Sequence, residues 1–210
     1  MLRAFAEPTC PKVPSDPSRA VNFARRLALS SRIASRTPAE RLRAELGTHG
    51  ARSFAYDRLQ TLGTNRELER AMRRVSEVAR VRSTPLIWLK HAALWHRGVI
   101  REGERGARDV DVLVAEEEGI ELHRALSEVG FRAIGTRATA YHLPPLVADS
   151  GAAVEVHHVI YGIQVGAGAQ RGVGATSREL FEGGHVSAVE TAGQLNFIPA
   201  DSVLAAHALV

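Results

Sequence analysis

The sequence is poor in cysteine, in lysine and in long apolar runs, and each shortage excludes a class of protein. Its only cysteine is Cys10, so neither a disulfide framework nor a cysteine-rich metal site is available, and a reducing cytoplasm is the simplest location. No apolar stretch approaches the ~20 residues that a transmembrane helix needs. Lysine occurs only at Lys12 and Lys90, and arginine supplies the remaining basic charge. The 210 residues suffice for one domain with a hydrophobic core and a helical extension.

The net charge of the chain changes sign near Ser83–Pro85. Residues 1–84 carry 17 Lys and Arg against 8 Asp and Glu, a net charge of +9. Residues 85–210 carry 10 against 15, a net charge of −5, and they hold eight of the nine histidines. A basic face would dock a nucleic acid, whereas arginines dispersed over solvated helix faces would have no such partner. The contacts that a nucleic acid would use are Arg70, Arg73, Arg74 and Arg80, which can share a helix face. No aromatic residues interleave with these four, which favours the second interpretation.

Local patterns divide the chain into three segments. Residues 1–17 contain four prolines and are expected to be a disordered tail. Residues 18–84 form a basic helical region, in which Thr37-Pro38-Ala39-Glu40 is typical of a helix start and Gly47 and Gly50 are expected to end that helix. Residues 85–210 are predicted to be a core of α/β (α+β) class. The chain stops inside an apolar helical stretch, so this core is expected to be truncated at its C-terminus.

Within the core, short apolar and β-branched stretches predict the strands. They are 86–89, 109–114, and a pair over 141–147 and 152–160 around the turn Asp149-Ser150-Gly151. Residues 116–129 have the periodicity of an amphipathic helix. The glycine-rich stretch 162–174 lacks the Gly-Lys-Ser/Thr of a phosphate loop, and we expect it to be a mobile loop.

Two aspartates lie two residues apart in the predicted strand Asp109-Val110-Asp111-Val112-Leu113-Val114. Side chains alternate along a strand, so Asp109 and Asp111 point to one face and the valines to the other. Two carboxylates on one face repel each other unless a cation or a proton lies between them, and Mg²⁺ prefers oxygen ligands. The pair therefore predicts a divalent-metal site. The alternative is an exposed strand whose acids are solvated or paired with Arg105 and Arg108.

A third acid, Glu155, lies inside the apolar stretch Val154-Glu155-Val156. A buried acid is costly without a partner, so Glu155 is expected to complete the metal site. The alternative is a solvent-facing glutamate paired with an arginine. The adjacent His157 and His158 would point to opposite faces of a strand and would not readily share one ion. We expect these histidines to pack or to form hydrogen bonds rather than to bind metal.

The order of these motifs resembles the uncharacterised nucleotidyltransferase family of the DNA-polymerase-β-like superfamily. The segments that carry the resemblance are Leu89-Lys90-His91, Arg108 to Val114, Tyr141-His142-Leu143 and Val154 to His157, within about residues 85–207. The resemblance implies a nucleotidyltransferase-like mixed sheet flanked by helices. It also implies transfer of a nucleoside monophosphate from a nucleoside triphosphate, with Mg²⁺ or Mn²⁺ as cofactor. ATP is the first candidate for this triphosphate. The acceptor stays open between a nucleic acid, a protein and a small molecule.

The resemblance also assigns roles to individual residues. The resemblance implies that Asp109, Asp111 and Glu155 bind metal and take part in catalysis. It also implies that Lys90, His91 and Arg108 lie at the phosphates of the nucleotide. Where the family turn reads Leu-Lys-Gly, this chain has His91, whose side chain would crowd a triphosphate. His91 and the short C-terminus favour a second interpretation, a catalytically degenerate domain that binds a nucleotide or a partner.

Overall fold

The computed structural model describes residues 16–135, 139, 141–165, 174–191 and 193–207. The chain forms two compact units, Met1–Thr61 with Gly103–Arg105 and Leu62–Glu102 with Gly106–Val210. Residues 1–15 of the expected disordered tail lie outside the described part, as do residues 166–173 of the glycine-rich stretch. The boundary between a basic helical region and a core near Ser83–Pro85, where the net charge changes sign, stays a prediction.

The first unit is helical, and a local capping signal explains where its first helix begins. Helix α1 (Pro17–Arg26) follows Asp16, whose carboxylate accepts a hydrogen bond from the N–H of Ser18 at 2.9 Å. Helix α2 spans Ser30–Arg36 and helix α3 spans Ala39–Val81. Helix α3 contributes residues to both units. The start of α3 agrees with the signal predicted at residues 37–40.

Two glycines of α3 behave differently from each other. Gly47 has φ 69° and ψ 172° and kinks the helix, which confirms the predicted break. The break expected at Gly50 is wrong, because this residue lies within the helix. A Cβ atom there would lie 2.8 Å from Cβ of Leu46 and 3.1 Å from Cγ2 of Val21. Gly50 therefore permits a close approach of helices α1 and α3 rather than a turn.

A bidentate ion pair joins α1 to α3 within the first unit. The guanidinium of Arg25 donates to both carboxylate oxygens of Asp57, at 2.8 and 2.7 Å. The pair lies beside a small apolar cluster to which Val21, Ala24 and Phe54 belong. This hydrogen bonding from Arg25 lowers the pKa of the Asp57 carboxyl, in spite of its partial burial.

The second unit is built on β-strands. The strands are β1 (Ile87–Trp88), β2 (Asp109–Leu113), β3 (Arg132–Ala133), β4 (Leu146–Val147), β5 (Ala153–His157), β6 (Ile160–Tyr161), β7 (Gly174–Ala175), β8 (Val186–Thr191) and β9 (Gln194–Pro199). In the part of the chain that the structure describes, seven of them form one sheet with the order β3-β4-β5-β2-β1-β9-β8. Strand β2 runs parallel to β5, β1 runs parallel to β9, and the other neighbours are antiparallel. The predicted mixed sheet is confirmed.

Helices cover both faces of this sheet. They are α4 (Lys90–His96), α5 (Glu116–Glu128), α6 (Ser177–Glu182) and α7 (Asp201–His207). On one face, the valines of β2 and β5 share a core with Val75 of α3 and with Leu122 and Leu126 of α5. On the other face, Ile87 and Leu113 share a second core with Leu180 and Val203. Since Asp109 and Asp111 alternate with the valines, they belong to the face of the second core.

Two predicted strands are shorter than expected. The stretch 141–147 is a strand only at Leu146–Val147, because Pro144 and Pro145 have no N–H to donate to a neighbouring strand. The stretch 152–160 divides into β5 and β6. The turn between β4 and β5 is confirmed, with Gly151 at φ 90°. None of the described helices is long and apolar enough to cross a bilayer.

Candidate functional site

Asp111 and Glu155 lie opposite each other where β2 pairs in parallel with β5. Asp109 lies opposite Ala153 in the same register. Residues that face each other across two paired strands project to the same side of the sheet, and so do residues two apart in one strand. Asp109, Asp111, Glu155 and His157 therefore share one face. This face is set by the alternation within each strand and by the register between the two strands.

Lys90 is the cation beside these acids, and it lies at the turn from β1 into α4. Leu89 has an extended backbone, and its N–H donates to the carbonyl of Asp111 at 3.0 Å. Lys90 has φ 43°, an uncommon value for a residue other than glycine, and its Nζ lies 2.5 Å from Oδ1 of Asp111. Burial disfavours the charged form of Lys90 and lowers its pKa. The negative charges of Asp111, Glu155 and Asp109 outweigh this effect, so the pKa lies above the ordinary value. The turn thus places an ammonium group among three carboxylates.

His157 connects two of the three carboxylates. Its Nε2 lies 3.0 Å from Oδ1 of Asp111 and 3.4 Å from Oε2 of Glu155. Burial disfavours a charged imidazole, but hydrogen bonding to Asp111 and Glu155 raises the pKa of His157. The hydrogen-bonding role expected for this residue is present. Its place within the acidic group was missed, although a spacing of two residues from Glu155 on a strand was a signal for it.

The carboxylates differ in how their charges are balanced. Burial raises the pKa of Asp111, but hydrogen bonding from His157 and the charge of Lys90 outweigh it, and the pKa lies below the ordinary value. Hydrogen bonding from His157 likewise lowers the pKa of Glu155. Asp109 has a raised pKa, because it is partly buried and lies near the charge of Asp111. Asp109 is therefore the acid whose charge is least compensated by the protein.

A divalent cation fits the donor atoms of this site. One ligand atom each from Asp111, Glu155 and His157 lie within 4.8 Å of one another. Two carboxylates and an imidazole suit a divalent metal such as Mn²⁺, and the carboxylates alone suit Mg²⁺. The side chain of Asp111 is only 1% exposed, and a buried anion of this kind needs a cationic partner. Asp109 lies outside the close group but on the same face of the sheet.

The other two residues expected at the phosphates lie close in sequence to the acidic group. His91 is buried, and its ring packs edge-on against Trp95 with 6.1 Å between the ring centroids. Arg108 directly precedes β2 and is exposed, and its carbonyl accepts the N–H of Ala153 at 3.2 Å. Of the three residues expected at the phosphates, Lys90 therefore contacts the acids and Arg108 lies just before the first residue of β2. The ring of His91 packs against Trp95.

Aromatic rings adjoin the acidic group on the side of His157. The ring of His142 lies 5.4 Å from the ring of His157, and the ring of Tyr141 lies 4.9 Å from that of His142. Tyr161 continues the series, with its ring 5.6 Å from Tyr141. Sequence reasoning assigned no function to these rings. Residues of three separate segments form the series, so only the folded chain brings them together.

The four candidate contacts for a polyanion, Arg70, Arg73, Arg74 and Arg80, lie on the second half of α3. Three of them pair with acids on the same helix: Arg70 with Glu67 at 2.5 Å, Arg73 with Glu69 at 2.5 Å and Arg74 with Glu77 at 3.3 Å. These pairs are exposed and lie three or four residues apart, which is the spacing of ordinary surface pairs on a helix. The arrangement favours solvated arginines over a continuous basic surface.

The match to a family profile agrees with the resemblance of the motifs. The profile of a family described as uncharacterised nucleotidyltransferase matches residues 14–168, so the matched range also includes the helical residues before position 85. A crystal structure from Thermotoga maritima, described as a candidate nucleotidyltransferase, is 18% identical with a TM-score of 0.48. That similarity covers 68% of this chain and 83% of the other. A search of curated protein sequences finds no match.

Proposed function

Because the chain belongs to the uncharacterised nucleotidyltransferase family, we propose that it transfers a nucleoside monophosphate from a metal-bound nucleoside triphosphate to an acceptor. The observation that supports the proposal best is the register of β2 and β5, which sets Asp111 opposite Glu155 with Asp109 on the same face. ATP is the first triphosphate to test, with Mg²⁺ or Mn²⁺ as the metal. A chain with one cysteine suits a reducing cytoplasm.

We assign metal binding to Asp109, Asp111 and Glu155. A divalent ion held by these carboxylates would supply positive charge that offsets the charge of the phosphates during an in-line displacement. His157 lies within hydrogen-bonding distance of Asp111 and close to Glu155, and so fixes the orientation of both carboxylates. Asp109, the acid with the raised pKa, gains the most from a cation, because the protein compensates its charge least.

We assign the phosphate end of the nucleotide to Lys90 and Arg108, with His91 at the turn that carries Lys90. The acceptor oxygen forms a bond to the α-phosphorus while the bond to the bridging oxygen of the β-phosphate breaks. Pyrophosphate leaves with the electron pair of that bond, and the proton of the acceptor passes to water. Lys90, whose ammonium lies 2.5 Å from Asp111, offsets negative charge next to this displacement. The acceptor is a nucleic acid, a protein or a small molecule.

One observation favours a second function, nucleotide or partner binding without catalysis. Asp111 is almost completely buried and already accepts hydrogen bonds from both Lys90 and His157. A metal ion that binds Asp111 has to compete with these two internal donors. If they are not displaced, the site holds a triphosphate through Lys90 without transferring its nucleotide.

A transfer assay distinguishes the two functions. The purified chain is incubated with Mg²⁺ or Mn²⁺, α-labelled ATP and pooled RNA, protein and small-molecule acceptors, and pyrophosphate and labelled acceptor are measured. The catalytic function predicts both products from the native chain and neither from a variant carrying Asp109→Asn and Asp111→Asn. Asp149→Asn is the matched control, because that carboxylate is 90% exposed. ATP binding without either product would favour the degenerate domain.

A further inference from the structure

Tyrosine is scarce in this protein, yet most of its tyrosines lie beside the acidic group. The chain contains three tyrosines, and two of them, Tyr141 and Tyr161, belong to the ring series that ends at His157. The third, Tyr56, lies in the helical unit. The ring series is therefore a local feature of the site and not a result of high aromatic content.

Backbone pairing holds the inner part of the series in place. His142 forms an antiparallel bridge with His157, and the N–H of His158 donates to the carbonyl of Tyr141 at 3.0 Å. The imidazole of His142 also makes a 2.7 Å hydrogen bond through Nδ1 to the carbonyl of Leu143. These contacts fix the rings next to β5, the strand that carries Glu155.

Exposure increases along the series away from the carboxylates. His157 is buried, His142 and Tyr141 are partly buried, and Tyr161 is 56% exposed. The ring of Tyr161 is tilted by 47° against that of Tyr141, and a tyrosine ring that is held by a neighbouring ring and exposed to solvent is suited to stack a further planar group. Tyr161 lies in β6, whose pairing with β7 fixes the backbone that carries the ring.

We propose that Tyr161, backed by Tyr141, is the stacking platform for the nucleobase of the triphosphate. The inference rests on the proposed function, which places the phosphates of the same nucleotide at Lys90 and the carboxylates. The ring series runs from the exposed platform to His157, which is hydrogen-bonded to Asp111. One nucleotide then has its phosphates at the acidic end and its base at the aromatic end. Because every base has a π-face, the platform accepts different bases.

The test separates the base from the phosphates by using two probes, MgATP and Mg-tripolyphosphate. Loss of a stacking ring is expected to weaken the binding of a base by about 5- to 150-fold. For Tyr161→Ala we therefore expect the Kd of MgATP to rise by that factor, while the Kd of Mg-tripolyphosphate is unchanged. Tyr161→Phe keeps the ring and should bind both probes like the native chain. Titration calorimetry provides all of these values.

Tyr56→Ala is the matched control, because Tyr56 is 58% exposed and lies outside the ring series. It should change neither Kd. An unchanged Kd for MgATP in Tyr161→Ala overturns the platform and leaves the proposed function standing, and an equal loss for both probes also overturns it. If neither probe binds the native chain, the proposed function itself fails and the platform fails with it. A circular dichroism melt of each variant identifies losses that come from unfolding.

Discussion

The ammonium nitrogen of Lys90 lies 2.5 Å from Oδ1 of Asp111, a carboxylate that is only 1% exposed. Lys90→Met removes this charge and leaves the buried anion with one fewer partner. We expect the free energy of unfolding of the metal-free protein to fall by about 1–3 kcal/mol. Urea unfolding measures the loss. Saturating Mn²⁺ should recover part of it, because a divalent cation replaces the missing charge.

The control for Lys90→Met is Arg132→Met. Arg132 pairs with Asp149 at 3.8 Å, but both side chains are largely exposed, so its removal should change stability by less than about 1 kcal/mol. Equal losses in the two variants would contradict a special role for the buried pair. A loss in Lys90→Met that Mn²⁺ leaves unchanged would contradict metal binding at Asp111.

Metal and nucleotide are expected to bind cooperatively. The carboxylates supply only part of the ligand set of a Mg²⁺ ion, and phosphates supply more, so the metal should bind weakly alone and more tightly with ATP. A variant carrying Asp109→Asn and Asp111→Asn should lose this cooperation. Titration calorimetry compares the Kd of ATP with and without Mg²⁺. Equal ATP affinity under both conditions would rule out a metal-bridged triphosphate.

His91→Gly is expected to raise ATP affinity or turnover if the side chain at position 91 crowds the phosphates, as the family turn implies. The ring is buried against Trp95, so the same change also removes packing and should lower the melting temperature. Both quantities are measured on each preparation. A lower melting temperature with unchanged ATP affinity and turnover would mean that the imidazole has only a packing role.

Single-stranded RNA is expected to bind no tighter than ~10⁻⁴ M, the weak end of non-specific association. Arg70, Arg73 and Arg74 already pair with acids on α3, and only Arg80 of the four candidate contacts has no such pair among the described residues. Fluorescence titration against salt is the measurement. Each phosphate contact would add about −0.7 to the slope of log K against log salt. A steep slope that decreases in Arg73→Ala with Arg74→Ala would establish a nucleic-acid surface.

The helical unit should lose stability in acid through Asp57. Arg25 lowers the pKa of this carboxyl in the folded state, so the pair stabilises the fold above the ordinary pKa, and the contribution is lost as the pH falls through the lower, folded-state pKa. Asp57→Asn should be less stable than the native chain at pH 7 and should differ less from it below about pH 4. Urea unfolding at both pH values provides the comparison, with Asp149→Asn as an exposed control. A constant difference would exclude this linkage.

Local spacing by itself determined several features of the protein. Asp109 and Asp111 share a face because side chains alternate along any strand. The start of α3 at Ala39 agrees with the helix-start pattern of residues 37–40, and the turn at Gly151 has the positive φ that glycine permits. The mixed sheet was implied by the resemblance of the motifs. The full strand expected over 141–147 is wrong, because Pro144 and Pro145 interrupt the apolar pattern with residues that have no N–H to donate.

Only the tertiary structure decided which groups surround the carboxylates. Lys90 and His157 lie 21 and 46 positions from Asp111 in the sequence, and the pairing of β1, β2 and β5 brings all three together. Alternation does not fix this arrangement, because a shift of β5 by two residues would keep every side chain on its face and still move Glu155 away from Asp111. Register is set by the packing of the two cores. It therefore depends on the whole sheet and not on the motif that predicted the site.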